Sequence, residues 1–155
     1  MSGVAFSVEG LPIPQGSKTV AKGGGKTWLR DANATKLKPW RAKVAAAADT
    51  GASFDCPVVV FAVFYLPKPQ RPRWLLPGVK PDVDKLARAL LDGMKDGGLL
   101  AEDSRVVDLH AVKRYEHAGN PVGVRVLVME TEEVTPFRPD AVQRVADRIN
   151  QKENQ

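Results

Sequence analysis

The sequence predicts an α/β (α+β) fold: a single compact domain in which a mixed sheet of about four strands is packed by helices. Three observations predict it. Apolar and polar residues alternate at the strand period in Val4-Phe6-Val8, from Val106 to Arg114 and from Val122 to Met129. An unbroken apolar, β-branched run from Val58 to Leu66 reads as a buried strand. Two further stretches, 36–49 and 82–95, place apolar residues on one helical face. The chain of 155 residues is long enough to bury a proper core as one domain.

The first strand stops at Gly10-Leu11-Pro12-Ile13-Pro14, and a basic, glycine-rich loop spans 15–35. Within it Gly24-Gly25-Lys26-Thr27 imitates the end of a phosphate-binding P-loop. Val20 stands where that motif requires glycine, and Trp28-Leu29-Arg30 reads as extended rather than helical, so no nucleotide cofactor is expected. The alanine-rich helix that follows carries Trp40, Val44, Ala47 and Ala48 on one face, directs Arg41 and Lys43 outward, and tolerates Pro39 only near its first turn. After the buried strand, Pro67, Pro69, Pro72, Pro77 and Pro81 forbid regular structure in a loop over 67–81. Trp74 in that loop is either an exposed contact surface or a buried anchor.

Pro81 disfavours helix at Lys80 and is tolerated at a helix start, so Asp82 and Asp84 fall in the first turn of a helix running to about Lys95. Its apolar stripe is Val83, Leu86 or Ala87, Leu90, Leu91 and Met94. Asp96-Gly97-Gly98 ends it, and a short return brings Glu102 and Asp103 to the strand that starts at Val106. The strands on either side of 116–120 predict an antiparallel hairpin. Residues 1–133 form the domain, and 134–155 form a helical extension, with Ala141, Val142, Val145 and Ile149 as its stripe.

Apolar residues make up 43% and charged residues 26%, the balance of an ordinary globular protein. No apolar run approaches the roughly 20 residues needed to span a bilayer, and the N-terminus lacks a signal-peptide pattern, so a cytoplasmic protein without membrane contact is expected. The one cysteine, Cys56, excludes an internal disulfide and a cysteine-rich zinc site, and is expected in the core. His110 and His117 are too few for a histidine metal site. A net charge of +5 points to a polyanionic partner. The cations cluster: Lys18, Lys22, Lys26, Arg30, Lys36, Lys38, Arg41 and Lys43 fill the first third, and Lys68, Arg71, Arg73 and Lys80 lead into the acidic pair.

The carboxylates admit two readings. Asp82 and Asp84 cap the helix and meet its dipole while Glu102 and Asp103 decorate a turn, or the acids are gathered around a cation. Two carboxylates about 5 Å apart repel by roughly 3 kcal/mol at an effective dielectric of about 20, which bound Mg²⁺ more than offsets. Asp108 is either a secondary member of such a site or a solvated charge. Arg88 either rungs a ladder with Asp84 and Asp92 at i±4 or supplies positive charge to the site. Lys85 is open in the same way.

The full segment Asp82-Val83-Asp84-Lys85-Leu86-Ala87-Arg88-Ala89-Leu90-Leu91-Asp92, followed by Gly98-Leu99-Leu100-Ala101-Glu102-Asp103-Ser104-Arg105-Val106-Val107-Asp108, closely resembles the signature of RusA-type Holliday junction resolvases. The resemblance is clear over about 55–130, extends back to residue 4, and is absent beyond about 133. It implies a RusA-like fold and a Mg²⁺-dependent endodeoxyribonuclease, with Mn²⁺ as substitute, that cuts four-way or other branched DNA by paired hydrolysis as a homodimer in a bacterial or phage-infected host cytosol. It makes Asp82, Asp84 and Asp103 the metal-binding catalytic carboxylates. Arg88 stands where the family usually has a catalytic lysine; arginine stays protonated, so the position fits electrostatic stabilisation and fits general acid chemistry poorly. Lys18, Lys22, Lys26, Arg30, Lys68, Arg71, Arg73, Lys80 and Lys85 become the expected DNA contacts. The alternative from a different class is a catalytically weak branched-DNA-binding protein on the same scaffold.

Overall fold

Val58–Leu66 is the most apolar strand of the chain, and it takes the position that such a strand needs, inside a sheet with a neighbour on each edge. In the computed structural model, which describes residues 2–16, 18–31 and 33–132, the elements are β1 (Gly3–Glu9), β2 (Lys18–Gly23), β3 (Lys26–Asp31), α1 (Ala34–Ala48), β4 (Val58–Leu66), α2 (Val83–Asp96), β5 (Val106–Tyr115) and β6 (Gly123–Glu130). The expected helix in the 134–155 extension lies outside the described residues. The main sheet has the order β1-β6-β4-β5, antiparallel at β1/β6 and β6/β4 and parallel at β4/β5. The mixed four-stranded sheet packed by two helices bears out the expected fold class. No helix among the described residues is long and apolar enough to cross a membrane.

Three expectations are corrected. β5 and β6 do not pair as a hairpin, because β4 lies between them. The reason is composition: β5 carries Asp108, His110, Lys113 and Arg114, which an edge strand accommodates in solvent, whereas β4 must be covered on both sides. The glycine-rich loop is a regular hairpin, β2/β3, with Gly23 opposite Lys26. Gly24 and Gly25 have φ of 54° and 72°, the turn geometry whose twist matches that of the flanking strands and that only residues without a Cβ adopt readily. Pro39 lies in the second turn of α1 rather than the first, since the helix begins at Ala34.

Both helices cover one face of the sheet. Trp40 and Val44 of α1 join Leu86, Leu90 and Met94 of α2 and Val58, Val60, Ala62 and Phe64 of β4 in one core. Each fully buried Leu or Met contributes roughly 1.5–3 kcal/mol relative to exposure, so the stripe of α2 fixes which way the rest of that helix faces. Ala89 and Gly93 are also buried on it. A Cβ at Gly93 would come within 2.6 Å of Val44, so glycine is what lets the two helices approach this closely. Cys56 packs half-buried against the core rather than within it, where its thiol donates to Glu130 at 3.4 Å and burial pushes its pKa up. Among the described residues no helix lies on the far face of the sheet, and Phe61 and Leu127, paired across β4 and β6, are exposed there.

Candidate active site

α2 begins at Val83, with Asp82 as its flanking residue: the first helical hydrogen bond runs from Leu86 N to Asp82 O at 3.1 Å. Asp82 occupies the cap position but its side chain makes no capping hydrogen bond; its carboxylate turns outward to Lys85 Nζ, 3.1 Å away. Asp84 and Arg88 are exposed on the outer side of the helix, opposite the buried stripe. The segment before Asp82 is held from β5, where Lys113 Nζ donates to Val79 O at 2.7 Å and to Pro81 O at 2.8 Å. The Lys80–Pro81 peptide is cis.

The return from α2 is also pinned. Leu99 and Leu100 are buried, Phe54 N donates to Leu99 O at 2.8 Å, and Ala101 N donates to Phe54 O at 3.0 Å. A 3₁₀ turn, Asp103–Arg105, follows, and Arg105 Nε donates to Asp55 at 2.7 Å. Glu102 pairs with Lys95 at 2.8 Å, which lowers the carboxyl pKa and raises that of the amine. Asp103 meets Asp92 of α2. Burial and then the hydrogen bond and charge of Asp92 raise the pKa of Asp103, as expected where two carboxyl groups compete to ionise.

Asp92 was legible in the sequence only as a rung for Arg88. In the structure it is bound from elsewhere: Gln15 Nε2 donates to its Oδ2 at 2.5 Å, and Arg41 Nη1 lies 3.9 Å away. Arg41 also donates to Asp96 at 2.6 Å, so it ties α1 to α2 rather than facing outward. Among the described residues Arg88 makes no ion pair with Asp84 or Asp92. Its guanidinium reaches the strap Pro14-Gln15-Gly16, where a Cβ at Gly16 would come 2.8 Å from Nη1. Gln15 N donates to Lys85 O at 3.0 Å, so the strap touches three successive turns of α2, at Lys85, Arg88 and Asp92.

Beside the strap lies a cleft of about 480 Å³ whose walls include Pro12, Pro14, Lys36, Lys80, Asp82 and Lys85. The three expected ligands, Asp82, Asp84 and Asp103, offer hard oxygen only, which suits Mg²⁺. Among the described residues, however, no three acidic, histidine or cysteine side chains are gathered closely enough to hold a metal ion; Asp103 is beside Asp92, and Asp82 is beside Lys85.

The RusA endodeoxyribonuclease family model matches residues 9–128 of the chain. The chain belongs to the RusA family. A comparison with curated proteins gives no match. The RusA match covers the strap, both helices, β4, β5 and most of β6, and meets β1 only at Glu9. Asp108 of this RusA domain turns to the far face, where it lies 3.1 Å from His110 Nε2 and away from α2, and His110 stacks on Phe61 at 4.7 Å. Of the expected DNA contacts, Lys22 and Lys26 are exposed on the β2/β3 hairpin, Lys68, Arg71, Arg73 and Lys80 are exposed on the proline-rich loop, and the side chains of Lys18 and Arg30 lie outside the described part. Gln15 is the residue of the site that the sequence did not single out; Lys36 and Arg41 were legible only as part of the basic first third, and Asp92 only as a rung for Arg88.

Proposed function

We propose that this RusA-family chain is a Mg²⁺-dependent endodeoxyribonuclease that resolves four-way DNA junctions by paired phosphodiester hydrolysis, with Mn²⁺ able to substitute. The observation that carries the reading is that α2 presents an outward-turned Asp82 and an exposed Asp84 at its start, with Asp82 on the wall of a lysine-lined cleft, while a pinned return brings Asp103 against Asp92 further along the same helix. Asp82, Asp84 and Asp103 would hold the cation, which when bound polarises a phosphoryl oxygen and acidifies water. Lys36, Lys80 and Lys85 bind the DNA backbone at the cleft. Arg88 stabilises the charge that develops as the bond from phosphorus to water replaces that from phosphorus to sugar oxygen. Gln15 and Asp92 hold Asp103 in place.

Lys22, Lys26, Lys68, Arg71 and Arg73 add sequence-independent affinity, which makes binding steeply salt-dependent. Phe61 and Leu127, exposed on the far sheet face among the described residues, support a homodimer, which places two sites on a substrate with equivalent strands. Sedimentation should then give twice the 16.8 kDa chain mass. The deciding assay offers labelled four-way junction, flap and linear duplex with Mg²⁺ or EDTA. Paired, Mg²⁺-dependent nicks in the junction support the reading; tight junction binding without cutting in Mg²⁺ favours the second reading, a branched-DNA-binding protein, which Arg88 in place of lysine supports.

A further inference from the structure

The proline-rich loop turns its most apolar residues outward: Leu75 is 95% exposed, Leu76 54% and Trp74 47%. It is not a loose segment. Pro77 is buried, Gly78 N donates to Leu76 O at 2.8 Å to close a turn, and Gly78 leaves its Cβ position 3.4 Å from the Trp74 ring. The other partner of the indole is Arg73, whose guanidinium carbon lies 4.3 Å from the ring centroid. The two ends of the loop are fastened to the sheet, by Lys68 N to Glu116 at 3.4 Å and by Lys113 to Val79 O and Pro81 O. The result is a braced tip with an aromatic ring and two leucines at its point, whose base is bonded one residue before Asp82.

Charge says what this tip meets. Residues 67–81 contain Lys68, Arg71, Arg73 and Lys80 and no acidic residue. A second copy of a +5 chain would bring like charges together around the apolar point, whereas DNA offers phosphates to the cations. A fully stacked duplex offers no base face to a tryptophan. At a branch point stacking is interrupted, and a base face becomes available for stacking on an aromatic or apolar side chain.

We propose that Trp74 and Leu75, flanked by Arg73, form a stacking tip that takes an unstacked nucleobase at the branch point of DNA, so that the tip, rather than the basic surface, gives preference for branched over linear substrate. The proposal rests on the reading of the chain as a branched-DNA endonuclease. With its base bonded beside Asp82, the tip sets how far from the branch point the acidic site reaches the backbone.

The test uses the full chain in EDTA, where binding proceeds without cutting, and a four-way junction carrying 2-aminopurine next to the branch point. The parent should quench the 2-aminopurine fluorescence severalfold on the junction, as the base stacks on the indole, and leave it unchanged when the same base sits in linear duplex. The double variant Trp74→Ala/Leu75→Ser should lose that quenching and bind the junction about 10-fold more weakly, the usual scale for deleting a base-stacking contact. Its affinity for linear duplex should stay within about twofold, as the cations remain. Trp74→Phe should keep the junction affinity. Because both residues are exposed, the double variant should melt like the parent. Undiminished quenching in the double variant overturns the tip alone, as does a change from dimer to monomer in sedimentation, which would make the tip a subunit contact. Failure of the parent to bind the junction at low salt overturns the functional reading and the tip with it.

Discussion

Gln15 donates to Asp92 across 2.5 Å, and Asp92 in turn meets Asp103. A residue from the N-terminal strap thus reaches the third acid of the site through the middle of α2. The same strap places Gly16 against the Arg88 guanidinium, so one short segment positions both the acid and the cation.

Gly16 has φ of 115°, a conformation that costs any other residue strain, and its Cβ position is filled by Arg88. Gly16→Ala should therefore destabilise the fold by more than about 1 kcal/mol and displace Arg88. Gln15→Ala leaves the backbone tie to Lys85 in place and removes only the contact to Asp92. It should lower single-turnover junction cleavage about 10-fold with little change in junction affinity, and Gln15→Asn should recover less than Gln15→Glu only if the amide donor is dispensable. Thermal unfolding and cleavage measured together separate the two variants.

Replacing Asp82, Asp84 or Asp103 singly by asparagine should reduce cleavage by about 10²-fold or more while junction binding persists or tightens, because the carboxylates serve the cation and the lysines and arginines supply affinity. Gel-shift titration in EDTA and single-turnover cleavage in Mg²⁺ read both. Near-normal cutting by Asp103→Asn would remove Asp103 from the metal site.

The raised pKa of Asp103 has a defined sign. The folded protein holds this proton more tightly than the unfolded chain, so as pH rises from the ordinary aspartate range through the raised folded value, stability falls. At neutral pH, without metal, the Asp92–Asp103 contact is thus destabilising, and screening by solvent keeps the effect to tenths of a kcal/mol. Asp103→Asn should raise the metal-free Tm by on the order of 1 °C at pH 7 and not at all near pH 4. Mg²⁺ should raise the Tm of the parent more at pH 8 than at pH 5.5, where the proton competes for the carboxylate. Scanning calorimetry with and without Mg²⁺ checks both directions.

Arg88 makes no ion pair with Asp84 or Asp92, so removing it should cost the fold little. Arg88→Ala should lose about 10²-fold in single-turnover cleavage, and Arg88→Lys should retain a substantial share, since lysine still places a cation near the phosphate. Parent-like cutting by Arg88→Ala would shift the search to Lys85.

The acidic helix was legible because three kinds of signal agreed there: proline at its start, a 3.6-residue apolar stripe, and glycines at its end. The sheet order was not. Periodicity shows that 106–115 and 123–130 are strands, but which edge each takes depends on the competition for a place beside β4, a comparison between elements that local pattern does not contain. Gly24-Gly25 was read as a loop because glycine is depleted in strands, although the same pair is a strong two-residue hairpin turn. Gln15 and Asp92 escaped because their contact joins residues 77 apart in sequence, and no spacing rule links a strap to a helix.

The pairing of β1 with β6 has a consequence for how the chain comes to be folded. Of the described strands of the main sheet β1 is made before the others, yet the one it pairs with among them is β6, the last to emerge. Until Gly123–Glu130 is available, β1 has no edge to join, and β4 is open on one side. The strap bearing Gln15 bonds α2 directly, but the sheet beneath both is complete only once β6 is in place, and a ribosome-bound chain cut short before β6 should remain open to proteolysis.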